Sequence, residues 1–332
     1  MKREESCAAR LGRVGGQAVL EGVMMKSGDR TALAVRDETG KIRTSVDTHT
    51  SVRKKYKFLN IPLLRGIVNF VETMILSYNT LMQSADMLGI DEAAEDSKFE
   101  AWLRSKWGDK FMAVLMGIAT VLGMVVGLGL FLYLPAFVTK WLDSLLGGIG
   151  WFRNVIEGVM KIAIFVAYIA LCSLMKEMRR TFEYHGAEHK SIACYESGME
   201  LTPENAAKCS RFHPRCGTSF LFVILILSIL VNSLISWENL ALRVVLKILL
   251  LPVIVGLGFE FIMYAGKHTN VFTRLLSAPG LWMQRITTRE PDESQLEIAI
   301  TALKLAMPDE FPPEADEEAD DANSADADIE AE

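Results

Sequence analysis

Several things are scarce in this sequence, and each scarcity narrows the field. Cysteine occurs five times in 332 residues, an odd number. Three of the five, Cys194, Cys209 and Cys216, share one stretch, which argues for reduced thiols over a disulfide framework. The N-terminus, MKREESCAARLGR, is polar and charged with no apolar stretch behind it, so no cleavable signal peptide is expected. No internal repeat is evident. Residues 309–332 contain no basic residue but twelve acidic ones, the composition of a disordered, solvated tail. Taking those twelve charges from the formal −6 leaves +6 on the rest of the chain. No nucleic-acid partner is expected.

Apolar residues, by contrast, make up half the chain, and they are clumped. Four runs stand out, about 111–134, 155–175, 219–236 and 244–266, each near the roughly 20 residues a helix needs to cross a bilayer. The first and third carry no charge. Glu157 and Lys161 sit near one end of the second, where long side chains reach the interface. The fourth carries Lys247 near its start and Glu260 deeper in. Basic residues cluster in 98–110, in 176–218 and after residue 266, whereas the other two connections hold only Lys140, Arg153 and Arg243. The positive-inside rule then places both termini and the 176–218 segment in the cytoplasm.

The expected architecture is a mainly α, multi-pass integral membrane protein of the cell membrane, with both termini cytoplasmic. Residues 1–57 form a small β-rich cytoplasmic module, with strands at 32–35 and 42–46 around the turn Asp37–Lys41. Within it, GGQAVLEGVMMKSG (15–28) brackets an apolar patch with glycines and carries one acid, Glu21. Residues 58–109 hold an amphipathic interfacial helix and a polar linker. The basic run Arg53–Lys57 just upstream suits an anionic inner leaflet. A four-helix transmembrane bundle fills 110–266, with the cytoplasmic loop 176–218 inserted between its second and third helices. Residues 267–308 supply cytoplasmic helices, broken at Pro279-Gly280 and Pro291. The last of these, Glu293–Met307, is amphipathic, with Asp292 and Ser294 as candidate caps.

The chemistry concentrates in 176–218. EYHGAEHK places His185 and His189 four apart and Glu188 beside them, so a helix turns all three toward one side. This is H-x-x-E-H, the inverted zincin order, in which two imidazoles bind a metal and the glutamate activates water. Gly186 counts against a regular turn there. RFHPRCG then brings His213 and Cys216 three residues apart, with a proline and a glycine to fix the turn. His185, His189 and His213 with Cys216 form the candidate metal set, and Cys194 and Cys209 are weaker candidates. Nitrogen and sulfur donors favour zinc among divalent transition metals. Each group also has a bland reading: a headgroup-contacting surface for the histidine pair, a cap for His213 and a small buried residue for Cys216. Glu260, an intramembrane carboxylate, is expected to serve as a further ligand, a proton relay or the partner of an arginine such as Arg179.

The strings GGQAVLEGVMM (15–25), HGAEHK (185–190), HPRCGTSF (213–220), PGLW (279–282) and TTREP (287–291) occur here in order. On them, the chain resembles the YqhQ family of bacterial membrane proteins from about residue 12 to about 307. The resemblance implies the architecture above and a family described as predicted metal-dependent enzymes of unknown function. It also brings Glu21 and Glu290 under suspicion. Three functions follow as expectations. The first is a membrane-bound metal-dependent hydrolase with Glu188 as general base and Glu21 and Glu260 as further candidate catalytic groups, acting at the inner leaflet of the lipid bilayer. The second is a scaffold whose cytoplasmic module or acidic tail recruits a protein partner and whose metal only staples the loop. The third is a transporter built around Glu260, which four unrepeated spans would support only as a homo-oligomer.

Overall fold

The computed structural model describes residues 10–89, 98–148, 150, 152–233, 240–265 and 270–312. The tail from 313 onward, His268, Cys7 and the start of the 89–109 linker therefore lie outside the described residues. Four strands, β1 (Val14–Val19), β2 (Gly22–Ser27), β3 (Arg30–Arg36) and β4 (Ile42–Thr48), form an antiparallel meander in the order β1-β2-β3-β4. Register runs Val14↔Ser27, Gly22↔Val35 and Arg36↔Ile42. The expected β-rich module is there, with the glycine-bracketed stretch supplying its first hairpin. Met24 and Met25 are both buried, as are Leu33 and Ala34, so β2 and β3 have apolar residues on both faces instead of alternating.

Two layers of helix explain this. One sheet face packs Val23, Met25, Ala32 and Ala34 against Tyr184, Ala187 and Tyr195 of α6 (Lys176–Glu196) and Leu296, Ile300 and Leu303 of α11 (Glu293–Ala306). The other packs Val19, Met24, Leu33 and Val35 against Leu76 and Met87 of α2 (Leu64–Met87). The expected cap of α11 is present as a capping box: Asp292 accepts from the Gln295 backbone N–H at 2.8 Å.

Between α2 and α6 lie α3 (Lys98–Leu128), a five-residue π turn (Gly129–Tyr133), α4 (Leu134–Leu146) and α5 (Phe152–Cys172). After α6 come the short α7 (Pro203–Ala207), then α8 (Gly217–Ser233), α9 (Leu240–Ala265) and α10 (Val271–Thr287). The short α1 (Val52–Lys55) precedes α2. Two stretches, Gly117–Leu146 and Phe152–Cys172, are long and apolar enough to cross a membrane. The third and fourth apolar runs overlap Gly217–Val231 of α8 and Leu249–Ala265 of α9, apolar stretches that are shorter. Two spanning helices, not four, thus meet the length criterion among the described residues.

Three local expectations are corrected. Glu157 and Lys161 do not reach separately for an interface; they pair with each other at 2.8 Å along α5, and Glu157 is buried. The helix does not break at Pro279-Gly280 but continues from Val271 to Thr287, because Gly280 lies directly on the Ser219 backbone, where a side chain would collide. Glu260 is partnered by Arg65 of α2 and not Arg179: its two oxygens take Nε (2.6 Å) and Nη2 of one guanidinium.

Candidate metal centre

Helix α6 follows α5 after a break at Ser173–Met175, so its direction is set independently of the apolar helix before it. Its inner face carries His185 and His189, ring centroids 4.4 Å apart. The turn before α8 carries Cys216, whose sulfur lies 3.2 Å from Nε2 of His185. One ligand atom from each of His185, His189 and Cys216 falls within 4.8 Å of the others.

The hydrogen bonds behind the rings matter as much as the rings. Thr287 carbonyl oxygen accepts from Nδ1 of His185 at 2.8 Å, and Arg211 carbonyl oxygen accepts from Nδ1 of His189 at 2.6 Å. A carbonyl can only accept, so each Nδ1 carries a hydrogen, and in a neutral ring the lone pair then falls on Nε2. Backbone carbonyls orient metal-binding histidines in this way. Burial pushes the His189 pKa below its usual value, favouring the neutral, ligating form, although Cys216 opposes this. Around a tetrahedral zinc, ligand atoms sit about 3.3–3.8 Å apart. His185 Nε2 and Cys216 Sγ, 3.2 Å apart, are close to that spacing, and the three-atom group as a whole lies within 4.8 Å.

Glycines permit this packing. A Cβ on Gly186 would overlap the carbonyl oxygen of Arg289, whose own backbone N–H donates to Phe182 carbonyl at 2.8 Å. The residue that looked unfavourable for a helix is what lets the TTREP segment lie flat on α6. Gly16 plays the same part on the other side: an added Cβ would stand 2.7 Å from Cγ of Glu188. Glu188 is buried and accepts from the Gly16 backbone N–H, and burial raises its pKa to about 7, with His185 and Gly16 pulling the other way.

The remaining expected residues surround the centre without joining the three-atom group. His213 is close, its ring 5.6 Å from that of His189, but its Nε2 faces Glu196 at 3.5 Å. Glu196 also holds Arg215 and the Gly12 backbone N–H (2.8 Å). Glu21, at φ 47 in the β1–β2 turn, grips Arg180 (2.6 Å) and accepts from the Tyr184 hydroxyl (3.3 Å). Glu290 pairs with Lys190 at 2.8 Å and with Arg211 at 3.5 Å. Cys194 and Cys209 are neighbours, away from the three-atom group, and burial pushes the Cys194 thiol up to about 12. Two residues escaped the sequence reading. Glu196 lies seven positions after His189, on the same helical face, so periodicity could have found it. Gln284 could not have been found: from α10 it accepts from the His213 backbone N–H and donates to His213 carbonyl and Ser219 hydroxyl, clamping the H-P-R-C turn.

Residues 61–309 match the family described as Protein of unknown function (DUF1385). Uncharacterized protein YqhQ of Bacillus subtilis (strain 168) is 33% identical over 294 residues, covering 87% of this chain and 90% of that protein. No solved structure matches the chain.

Proposed function

The chain belongs to the DUF1385 (YqhQ) family, and on that premise we propose that it is a membrane-bound, metal-dependent hydrolase. His185 and His189 through Nε2 and Cys216 through its thiolate would hold a divalent cation, zinc by donor type. One observation carries the reading: two backbone carbonyls fix both imidazoles in the tautomer that turns Nε2 toward one cysteine. A bound cation of this kind supplies Lewis acidity and acidifies a water to near neutral pH. Glu188, held by Gly16 beside His185, takes and returns the proton at its carboxylate. Gln284 and Glu196 keep the Cys216 turn and His213 in position.

The membrane part of the proposal rests on surface chemistry. Val121, Leu122, Met124 and Val125 are each more than half exposed, an arrangement water does not tolerate over a helix of this length and lipid does. Together with Gly217–Val231 and Leu249–Ala265, the two longer helices would form the four-helix bundle, with α6 and the centre beneath the inner leaflet. The substrate class is a peptide, a lipid headgroup or another phosphoester reached from that leaflet. Arg65 occupies both oxygens of Glu260, which disfavours the transporter reading.

Elemental analysis of protein purified without chelator tests the proposal: one transition metal per chain is expected, lost in H185A, H189A and C216S. The scaffold reading draws on the same geometry, since a cation there would tie α6 to the turn before α8. Glu188→Gln separates the two. Metal retained with hydrolysis of an ester and peptide panel abolished supports catalysis; unchanged behaviour supports a structural staple.

A further inference from the structure

Away from the metal centre, at the opposite end of β2 from Glu21, lies a cavity of about 710 Å³. Lys26, His49, Arg53, Lys54, Lys57 and Asn69 contribute to its lining, with Asp29 and Glu72 as its acids. The acids are already engaged. Asp29 pairs with Lys54 at 2.5 Å. Glu72 accepts from the Ser51 hydroxyl (2.8 Å) and the Val52 backbone N–H (2.7 Å), capping α1. Lys26, Arg53 and Lys57 make no ion pair among the described residues. Arg53 is nonetheless held in place: Ser51 hydroxyl accepts from its Nε and Asn69 side-chain oxygen from its Nη2, both at 3.3 Å. A guanidinium anchored by uncharged acceptors keeps its charge, and the N–H donors not spent on Ser51 and Asn69 are left for an anion.

Interleaved in sequence with the lining residues Lys57 and Asn60, Tyr56, Phe58 and Ile61 are exposed, Phe58 to 66%. Cationic lining residues alternating along the chain with exposed apolar ones match a molecule that is anionic at one end and aliphatic at the other. We propose that this pocket binds the phosphate headgroup of an anionic phospholipid, with Arg53 and Lys57 on the phosphate and Phe58 and Ile61 against the acyl chains. It rests on the membrane placement proposed above and is independent of the metal. A seated headgroup would fix the β-sheet module against the inner leaflet and set the height of α6 relative to it.

The test is calorimetric titration of the full-length protein in non-ionic detergent with dihexanoyl phosphatidylglycerol, dihexanoyl phosphatidylcholine and inorganic phosphate. Saturable one-to-one binding of the phosphatidylglycerol is expected, weakened about tenfold or more in R53Q/K57Q and unchanged in K41Q, a substitution of an exposed lysine in the β3–β4 turn. R53K should recover part of the affinity, which a misfolded pocket would not. Metal content should stay the same in R53Q/K57Q, so failure here is read apart from failure of the hydrolase proposal. Equal affinity for the choline lipid, equal affinity for inorganic phosphate, or binding indifferent to R53Q/K57Q would each overturn the assignment.

Discussion

Gly186 shows how much can depend on one missing methyl. It sits one residue after a proposed ligand, in contact with the Arg289 carbonyl, so Gly186→Ala forces the TTREP segment off α6. We expect a loss of about 1–3 kcal/mol, the range for overpacking a closed interior, visible as a lowered Tm together with weakened metal retention. Glu196 gives a pH signature. Burial alone would raise its pKa, but His213, Gly12 and Arg215 outweigh burial and hold it at about 2. A carboxyl whose folded pKa is depressed stabilises the fold above its unfolded pKa and loses that contribution as pH falls through the folded value. Stability worth about 2–3 kcal/mol should therefore be full at pH 5 and drain away toward pH 2. Glu196→Gln should flatten that part of the Tm–pH curve; an unchanged slope would remove Glu196 from the network.

At the scale of elements, α6 and α11 are the pair that couples module to centre. α11 lies on β2 and β3 while its cap residue Asp292 follows directly on the TTREP segment. Asp292→Ala should cost about 1 kcal/mol through loss of the cap, measured as a shift in urea midpoint, without removing metal. The amphipathic pattern of Glu293–Met307, the cap at Asp292, the helix after residue 60 and the H-x-x-E-H face were all legible in the sequence, because each is a local periodicity or a local hydrogen bond. What fell outside reach was non-local. Nothing near Gln284 announces that it will clamp a turn 71 residues away. Glu260 shows no sign that its arginine comes from residue 65. Pro279-Gly280 reads as a break until Ser219 is placed against it.

For the whole molecule, the sheet with its two helical layers and the long apolar helices are separate problems in solvation. The first buries its apolar residues against one another; the second leaves them exposed. Lipid as the second solvent predicts that the protein stays in the membrane pellet after alkaline carbonate extraction, and release into the supernatant would contradict the bundle. The four apolar runs were visible from composition alone, whereas the lengths of the helices they form were not. Helix ends are fixed by contacts such as Cys216 and Ser219 at the start of α8, which composition does not report. His213 was the least legible site residue: the sequence placed it beside the other histidines, and it is there, but its Nε2 meets Arg215 at 3.3 Å and Glu196 at 3.5 Å.

The central claim is that two imidazoles and one thiolate from separate segments share a single cation. X-ray absorption at the edge of the metal that co-purifies with the full-length protein tests this most directly. The account predicts a four-coordinate shell with two nitrogen scatterers near 2.0–2.1 Å and one sulfur near 2.3 Å, the sulfur vanishing in C216S. A shell of oxygen and nitrogen alone in the unmodified protein would contradict it.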